Sequence, residues 1–493
     1  MKKIVLLMVV LTTNCIAQPF VNWSNNNDVE NFVQPIGEDI VLKDSFIYVA
    51  GSCNGVNPFY NFIIVRLNNF GDTIWTKKLL NNVHVGTVNG GGDQMITCDE
   101  LGNVYVCFTE VNTGFDIVVV KINKIGEIIW FTTFDSGGMD QANSLSLDNS
   151  GGVIVTGSGD FEGTNIDCLT IKYDTNGNEL WHSIFDSGNT SWDDEGLEIK
   201  VSENDNIYVA GFFGLLKYDI NGQLLWSDVN LTFAQANESS VHVIIDSDLN
   251  VFYTSPIGNI IKKYDTQGNL LYNSTFVAAD YISNDLRFIA HDSENNIITT
   301  GWCKKPNNNY DIVVQKLNSN LNLIWQKEYF NNNEYPNDLA VDNNDNIHVL
   351  GRKYLLLNYS SNGELIWDSI FLVNENPVCR ELYLDLNNNI YVTGSIGIKI
   401  LTVKLSENYI ANSKELSEDI KMQLSPNPTT GKVKIVFPFN NSKILIQNYL
   451  SQIIYDETMH SGKKMEINVE KSGVYFVSII EENKRWIEKV VVE

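Results

Sequence analysis

The sequence is poor in the residues that most often carry chemistry. Its 493 residues include only six histidines, and no two of them have the spacing of metal ligands on one helix or strand. There is no Gly-x-Ser-x-Gly nucleophile motif, no phosphate-binding glycine loop and no dinucleotide fingerprint. The sequence therefore does not point firmly to an enzyme, and it predicts no firm metal site.

Cysteine and proline are also scarce. The chain has ten prolines and seven cysteines, of which Cys15 lies in the N-terminal leader described below. The other six contain no Cys-x-x-Cys pair, so the spacing typical of zinc sites is absent. They are Cys53, Cys98, Cys107, Cys168, Cys303 and Cys379. Several fall within strand patterns, where a small buried thiol is the usual role.

Positive charge is in short supply. The chain has 34 Lys and Arg against 60 Asp and Glu, which gives a formal net charge of −26. A surface this acidic repels phosphate backbones, so we expect no nucleic-acid partner. Cations, basic proteins and neutral glycans stay open as partners, and the charge also serves to keep an exported protein soluble.

The N-terminus has the pattern of a signal peptide. Lys2 and Lys3 precede the apolar residues 4–11, and Ala17 precedes a plausible cleavage point. A lipid anchor on Cys15 is the less favoured alternative. No other segment approaches about 20 continuous apolar residues, so we expect no membrane span in the mature chain.

Aromatic and β-branched residues are abundant and recur in a repeated unit of four short runs. The second run reads Ile-Tyr-Val-x-Gly, as at residues 207–211 and 390–394, the third resembles Val-Val-Lys-Leu, and the fourth ends in an aromatic residue. Alternation with period two and Asn-Gly turns between the runs are typical of antiparallel strands. Four such strands form one blade of a β-propeller.

The number of blades follows from counting runs. The fourth run carries an aromatic residue that we expect to pack between blades, at Trp75, Trp130, Trp181, Trp226, Tyr272, Trp325 and Trp367. The second run occurs eight times, and the eighth unit lacks a fourth run of its own. Trp23 lies 52 residues before Trp75, which is a normal repeat spacing. We therefore predict an all-β fold with eight blades, closed by an N-terminal strand. Seven blades is the alternative, if the unit near Phe252 is irregular.

The repeats resemble the SBBP-type propeller repeats of bacterial surface and secreted proteins. The likeness lies in Asp-x-x-Gly-Asn-x-Tyr-Val and Asp-Ile-Val-Val-Val-Lys and covers roughly residues 20–408. The blades also resemble, more weakly, those of quinoprotein dehydrogenases, which share the tryptophan of the outer strand. A tryptophan between blades is a packing device in many propellers.

The C-terminal 71 residues carry the most specific pattern. Their motif residues are Pro426, Asn427, Pro428 and Gly431 in a Pro-Asn-Pro-x-x-Gly element, Gly473 and Tyr475 in a Gly-x-Tyr, and Lys489 in a final basic-then-apolar strand. This order resembles the type A C-terminal sorting domain of the type IX secretion system, although the middle-hairpin glycine of that family is missing. The resemblance implies a small β-sandwich, recognition by the type IX machinery and transport across the outer membrane. The remaining protein would be released or attached to the outer cell surface.

These patterns predict four parts of the chain. They are a signal peptide at 1–17, a β-propeller at 18–408, a polar linker at 409–422 and the sorting domain at 423–493.

Acidic residues supply the candidate site. Loops leading into the inner strands carry Asp93, Asp140, Asp194, Glu238, Asp285 and Asp338, which we expect at one mouth of the central channel. Such carboxylates form a solvated rim, bind a ligand or cation, or act as the acid and base of a glycosidase. Asp-rich turns such as 99–103 and 342–346 fit hairpins, with calcium binding as the alternative.

The function favoured by the sequence is a non-enzymatic binding or scaffold module that is secreted or held at the cell surface. It would use no cofactor, with calcium as the one candidate ion. Its partners would be the export machinery and a glycan or surface protein. The alternative is an extracellular glycan-active hydrolase or lyase, or a quinoprotein-like enzyme, that uses the channel mouth.

Overall fold

A computed structural model of the chain describes most of the propeller and the strands of the C-terminal domain. The described residues are 20–27, 33–54, 60–84, 94–111, 114–161, 166–188, 193–229, 241–255, 258–277, 283–305, 309–330, 334–370, 377–396, 399–406, 423–425, 432–436, 442–448, 453–459, 464–469, 473–481 and 484–492. The predicted signal peptide at 1–17 and the predicted linker at 409–422 lie outside them.

Residues 20–406 form eight antiparallel blades of four strands each, which confirms the predicted propeller and its larger blade number. Blade 1 contains β2 Val33–Lys43, β3 Phe46–Asn54, β4 Tyr60–Leu67 and β5 Thr73–His84, and blade 2 contains β6 Ile96–Cys98, β7 Val104–Val111, β8 Phe115–Ile122 and β9 Ile128–Phe134. Blade 3 contains β10 Asp140–Leu147, β11 Val153–Asp160, β12 Ile166–Tyr173 and β13 Glu179–Phe185, and blade 4 contains β14 Gly196–Val201, β15 Ile207–Gly211, β16 Gly214–Tyr218 and β17 Leu224–Val229. Blade 5 contains β18 His242–Ile245, β19 Val251–Ser255, β20 Ile260–Tyr264 and β21 Leu270–Thr275, and blade 6 contains β22 Ser283–His291, β23 Ile297–Lys304, β24 Tyr310–Leu317 and β25 Leu323–Tyr329. Blade 7 contains β26 Pro336–Val341, β27 Ile347–Gly351, β28 Leu355–Tyr359 and β29 Leu365–Ile370. Blade 8 contains β30 Val378–Leu384, β31 Ile390–Ile396 and β32 Lys399–Ser406, with β1 Phe20–Asn27 as its fourth strand. A short 3₁₀ turn, Arg352–Tyr354, links β27 to β28.

The ring closes with the N-terminal strand, as predicted. β1 pairs antiparallel with β32, with Val21 opposite Leu405 and Asn27 opposite Ile400. The eighth blade therefore takes its outer strand from the start of the propeller and its other three strands from the end. This arrangement removes the open sheet edge that a linear row of blades would leave.

The hydrophobic core lies between neighbouring blades. The middle strands are buried on both faces, as in β7 and β8, whereas the outer strand β9 alternates between exposed and half-buried residues. One such core joins Tyr48 and Ile64 of blade 1 to Phe108 of blade 2. The six described cysteines are free, and five of them are buried. The aromatic and β-branched runs of the sequence are thus the layers that the blades share.

A basic residue on the third strand and a tryptophan on the fourth strand, both repeated from blade to blade, form hydrogen bonds with the next blade. Lys121 on β8 lies opposite Trp130 on β9. The Lys121 ammonium and the Trp130 indole N–H both donate to the carbonyl oxygen of Thr175, at 3.4 and 3.0 Å. Thr175 lies in the outer turn of blade 3, where Gly177 has a φ of 84° and a Cβ would lie 2.7 Å from the indole of Trp130. A side chain at position 177 would meet both the unfavourable φ and the ring.

The same arrangement recurs at other blade junctions. Lys172 and Trp181 share Ile220 O, Lys316 and Trp325 share Ser361 O, and Arg66 and Trp75 share Lys124 O. In the part of the chain that the structure describes, the other four outer-strand aromatics do not show this pair of hydrogen bonds. Trp367 is buried and Tyr272 is exposed, and the indole N–H of Trp226 has no partner among the described residues. Trp23 lies opposite Lys404, and its side chain is outside the described part. Seven of the eight outer strands carry tryptophan, and at four junctions its indole N–H donates to a turn carbonyl of the next blade.

The C-terminal domain contains seven described strands in two sheets. They are β33 Gln423–Ser425, β34 Lys432–Val436, β35 Ser442–Asn448, β36 Ile453–Met459, β37 Lys464–Asn468, β38 Gly473–Glu481 and β39 Lys484–Val492. The sheet orders are β33-β34-β37 and β36-β35-β38-β39. Val433, Ile444 and Val477 lie in their common core.

The predicted sorting-motif residues fall partly within these strands. Gly473 begins β38, the Tyr475 ring is buried in the core, and Lys489 on β39 lies opposite Phe476. The motif residues Pro426, Asn427, Pro428 and Gly431 lie outside the described residues. Among the described residues, no helix has the length and apolar character needed to cross a membrane.

Candidate functional site in the central channel

The inner strands of the eight blades line the central channel and carry a shared irregularity. In six blades the pairing of the first two strands shifts by one residue, for example between Gly37 and Asp39 and between Pro336 and Asp338. Such a bulge turns the following side chain toward the channel. The residues directly after the shift are Asp39, Ser144, Glu198, Phe288, Asp338 and Glu381. In blade 5, which shows no shift, His242 lies at the same level, opposite Thr254.

All of these residues except Ser144 line a cavity of about 280 Å³. Its charged and titratable lining residues are Asp39, Glu198, Lys200, His242, Asp338, Glu381 and Tyr383. The volume would hold on the order of nine water molecules, at roughly 30 Å³ each. The channel at this level is therefore a small, polar and strongly acidic chamber.

Three of the acidic side chains bind the backbone of the next blade. Asp39 Oδ2 accepts hydrogen bonds from the amides of Met95 and Ile96, at 2.7 and 3.0 Å. Asp338 Oδ2 accepts from the Leu382 amide at 2.6 Å. Glu198 Oε2 accepts in the same way from the Val243 amide at 3.0 Å. Each carboxylate thus ties its blade to the following one at the channel wall.

The charges are distributed unevenly around the ring. Blades 7, 8 and 1, which are neighbours in the closed ring, contribute Asp338, Glu381 and Asp39. Burial raises the pKa of Asp39 and of Asp338 to about 7. Burial, together with the Asp338 and Asp39 carboxyls, raises the pKa of Glu381 well above its usual range. This side of the channel therefore holds protons near neutral pH.

The opposite side of the channel carries the basic groups. Lys200 Nζ lies 2.9 Å from Glu198 Oε1, and His242 Nδ1 lies 3.1 Å from Glu198 Oε2. Burial alone would raise the pKa of Glu198, but Lys200 and His242 lower it below its usual value. The chamber is thus acidic on one side and internally neutralised on the other.

Propeller stability is expected to fall as pH rises from about 5 to 8. The aspartates Asp39 and Asp338 have an ordinary pKa of 3.8 and titrate near 7 when folded, so their contribution is full below 3.8 and is lost as pH rises to about 7. Between pH 5 and 7 the loss should be on the order of 5 kcal/mol for the two aspartates together, at about 1.4 kcal/mol per pH unit for each. Chemical denaturation at stepped pH measures it, and Glu381→Gln should flatten the decline while leaving stability at pH 5 unchanged. Equal stability at pH 5 and 8 would contradict the proton-holding cluster.

The predicted mouth residues do not form one group. Asp338 lines the channel, and Asp285 on β22 forms a salt bridge with Arg287 at 2.8 Å. Asp140 and Asp194 lie in two separate carboxylate clusters at blade junctions. Asp93 and Glu238 lie outside the described residues.

Several residues of the channel were missed by sequence reasoning. Asp39, Glu198, Lys200, His242 and Glu381 lie inside inner-strand runs, where an alternating pattern gives no reason to expect charge. The sequence feature that could have identified this site is an acidic residue in the middle of an otherwise apolar first run. Such a residue occurs in four of the eight repeats.

The Asp-rich turns are built as Asx turns. Asp99 Oδ1 accepts hydrogen bonds from the amides of Leu101 and Asn103, at 3.0 and 2.8 Å, and Asp342 Oδ1 accepts in the same way from Asn344 and Asn346. The carboxylate that a cation would need already bonds its own turn, so the geometry accounts for these residues locally.

Comparison with known families identifies the C-terminal domain. Residues 423–493 match the family model of the secretion system C-terminal sorting domain. This match confirms the resemblance drawn from the Pro-Asn-Pro, Gly-x-Tyr and final-strand motifs. A sorting domain of this kind implies interaction with the type IX secretion machinery and export to the cell surface or the extracellular space.

The propeller has more distant likenesses. A curated relative, an uncharacterized WD repeat-containing protein of Acanthamoeba polyphaga mimivirus, is 26% identical over 218 residues, which cover 43% of this chain and 13% of the relative. The C-terminal WD40 domain of Sif2 has a TM-score of 0.49 at 10% identity and covers 78% of this chain and 99% of that domain. PorZ of the type IX secretion system of Porphyromonas gingivalis has a TM-score of 0.28 at 12% identity and covers 93% of this chain and 86% of PorZ. Likenesses at this level do not bear on function.

Proposed function

We propose that the chain is exported by the type IX secretion system and that its propeller acts outside the cell, or on the cell surface, as a rigid non-catalytic binding or scaffold module. The observation that carries this proposal is the sorting-domain match at residues 423–493, which follows a closed propeller in the same chain. The propeller is then the exported part on which function depends.

The use of the channel carboxylates supports a binding role over catalysis. Asp39, Glu198 and Asp338 accept hydrogen bonds from backbone amides of the neighbouring blade, so their removal would cost packing between blades. A general acid or base must instead reach a substrate proton. Their role in this fold is to hold the ring together.

Exposed apolar turn tips support a protein partner. The first-to-second and third-to-fourth turns of a blade lie on the same face of an antiparallel propeller. On that face four large apolar side chains of blades 8, 1 and 2 are exposed, namely Phe70, Leu101, Ile125 and Leu386 at 79, 77, 65 and 91%. Apolar side chains held at rigid turn tips are suited to contact another protein.

Deleting residues 423–493 tests the export half of the proposal. The full chain is expected on the cell surface or in the medium of the producing bacterium, and the truncated chain is expected to stay inside the outer membrane. Cell fractionation and immunoblotting measure the distribution. As the matched control, residues 407–493 fused to a reporter with a signal peptide should carry that reporter out. Equal export of the truncated chain would refute the assignment of the domain to sorting.

The raised pKa values of the chamber favour one second candidate, an extracellular glycan-active enzyme. A carboxyl that stays protonated near neutral pH is suited to act as a general acid. Asp39, Asp338 and Glu381 are the residues concerned. Release of new reducing ends from a polysaccharide panel by the wild-type chain, and not by Glu381→Gln, would replace the binding proposal with this one.

A further inference from the structure

Two three-carboxylate clusters lie at neighbouring blade junctions. One joins blades 2 and 3 and consists of Asp116, Asp135 and Asp140, and the other joins blades 3 and 4 and consists of Asp167, Asp186 and Asp194. Within each cluster, one oxygen of every carboxylate lies within 4.8 Å of the others. The clusters are separate from the central chamber, because none of the six residues lines it.

The fold builds both clusters in the same way. The first aspartate is the second residue of a third strand, the second directly follows the outer strand in a Phe-Asp-Ser-Gly turn, and the third precedes or begins the next inner strand. The Ser136 amide donates to Asp140 Oδ2, and the Ser187 amide donates to Asp194 Oδ2, each at 2.6 Å. The equivalent hydrogen bonds fix the third carboxylate against the other two. The three carboxylates of each cluster therefore come from two neighbouring blades, and not from a single loop.

Two of these carboxylates lack a partner among the described residues for at least one oxygen. Asp167 is 7% exposed as a whole residue, and its carboxylate forms no hydrogen bond with any residue that the structure describes. Asp140 is fully buried, and its Oδ1 has no partner among the described residues. A buried carboxylate oxygen without a donor costs free energy unless a cation compensates it. Asp140 and Asp167 belong to one cluster each, so the missing compensation is in the same residues as the excess negative charge.

In the described part of the chain, the charged groups that act most strongly on these carboxylates are not cations. Apart from burial, the charged groups that most affect the pKa of Asp116, Asp140, Asp167 and Asp194 are all other carboxylates. Burial and the carboxylates of Asp186, Asp194 and Asp160 raise the pKa of Asp167 to about 6. Without a counter-ion, the two clusters repel themselves at neutral pH.

Blade 6 shows how the fold handles the same aspartate when a cation is present. Asp311 is the second residue of β24, the position of Asp116 on β8 and of Asp167 on β12. There Lys305 forms a salt bridge with Asp311. The position therefore tolerates a buried carboxylate together with a positive partner, and blades 2 and 3 have the carboxylate without the lysine.

We propose that each cluster binds one calcium ion, which ties blade 2 to blade 3 and blade 3 to blade 4. Calcium takes oxygen ligands at about 2.4 Å, so oxygens up to roughly 4.8 Å apart can share one ion. The donors are carboxylates only, with no histidine or cysteine, which favours a hard cation over zinc or copper. Several waters or carbonyls would complete the six to eight ligands that calcium requires.

Calcium binding is tested on the full chain without residues 1–17, by equilibrium dialysis and by thermal unfolding in EDTA and in 5 mM calcium chloride. We expect two ions per wild-type chain, one in Asp116→Asn or Asp167→Asn, and none in the double variant. Calcium should raise the wild-type Tm by about 5 °C. In EDTA, Asp167→Asn should unfold at a higher temperature than wild type because repulsion is relieved, and calcium should reverse that order.

Asp193→Asn is the matched control. Asp193 is exposed and adjacent to Asp194 but is not part of the cluster. It removes the same charge and should still bind two ions. Equal calcium stoichiometry in the wild type and in the double variant, or a wild-type Tm that calcium does not change, would overturn the proposal. Magnesium in place of calcium should give the smaller Tm shift, and an equal shift would overturn the choice of ion.

Discussion

Deleting residues 18–27 is expected to destroy the cooperative unfolding of the propeller and to drive the chain to aggregate. β1 and β32 form seven register pairs, from Phe20 with Ser406 to Asn27 with Ile400. These pairs close the ring by joining strands from the two ends of the propeller sequence. Without them, β32 becomes an exposed edge strand, and open edges pair with other chains. The buried residues Leu401, Val403 and Leu405 on that strand would increase the tendency to associate.

The closure is tested by adding the strand back as a separate molecule. A synthetic peptide of residues 18–30 should restore monomeric behaviour in size-exclusion chromatography and a single unfolding transition, and a scrambled peptide of the same composition should not. Deleting ten residues at 409–418 instead is the matched control and should leave the transition unchanged. A monomeric, cooperatively folded chain without residues 18–27 would show that the ring is held by blade contacts alone.

The ring closure was predictable because the strand runs of each repeat can be counted in the sequence. A second run that occurs eight times, with a fourth run missing at one end and a spare tryptophan run at the other, favours eight blades closed by the N-terminal strand over the seven-blade alternative. The junction contacts were also within reach, since a basic residue repeated in most blades must serve the repeat rather than a single site. Lys121 and Lys172 both donate to a turn carbonyl of the next blade.

The acidic sites were less predictable, for two physical reasons. The first is the bulge: a shift of one residue at Gly37 or Pro336 turns Asp39 or Asp338 into the channel, and no alternating pattern reveals where the shift falls. The second is distance along the chain. Asp167 meets Asp194 only because the third strand of one blade begins beside the entry to the next. Only the duplicated Phe-Asp-Ser-Gly in the sequence hints at the pair of clusters.

The same bulges explain the glycine of the Ile-Tyr-Val-x-Gly run and lead to the second large effect. Gly157→Ala is expected to lower the free energy of unfolding by about 3 kcal/mol, the upper end for overpacking, because the obstacle is backbone. Gly157 lies opposite Ala142, directly before the register shift in β10. A Cβ at this position would lie far inside van der Waals contact with the Gln141 carbonyl oxygen. Neither strand can move without losing the bulge.

Gly351→Ala in blade 7 is the matched variant that separates steric conflict from a general loss of glycine. Gly351 occupies the equivalent position, opposite Pro336, but a Cβ there meets only side-chain carbons of Leu355 and Ile312, at 3.0 Å and beyond. It should cost less than about 1 kcal/mol, since side chains can rotate away. Blades 2 and 5 carry Phe108 and Ser255 at this position, and neither shows a register shift among its described pairs. Both glycines lie beside a register shift, so equal destabilisation by the two substitutions in guanidinium titrations would refute the backbone clash at Gln141 as the cause of the loss at Gly157.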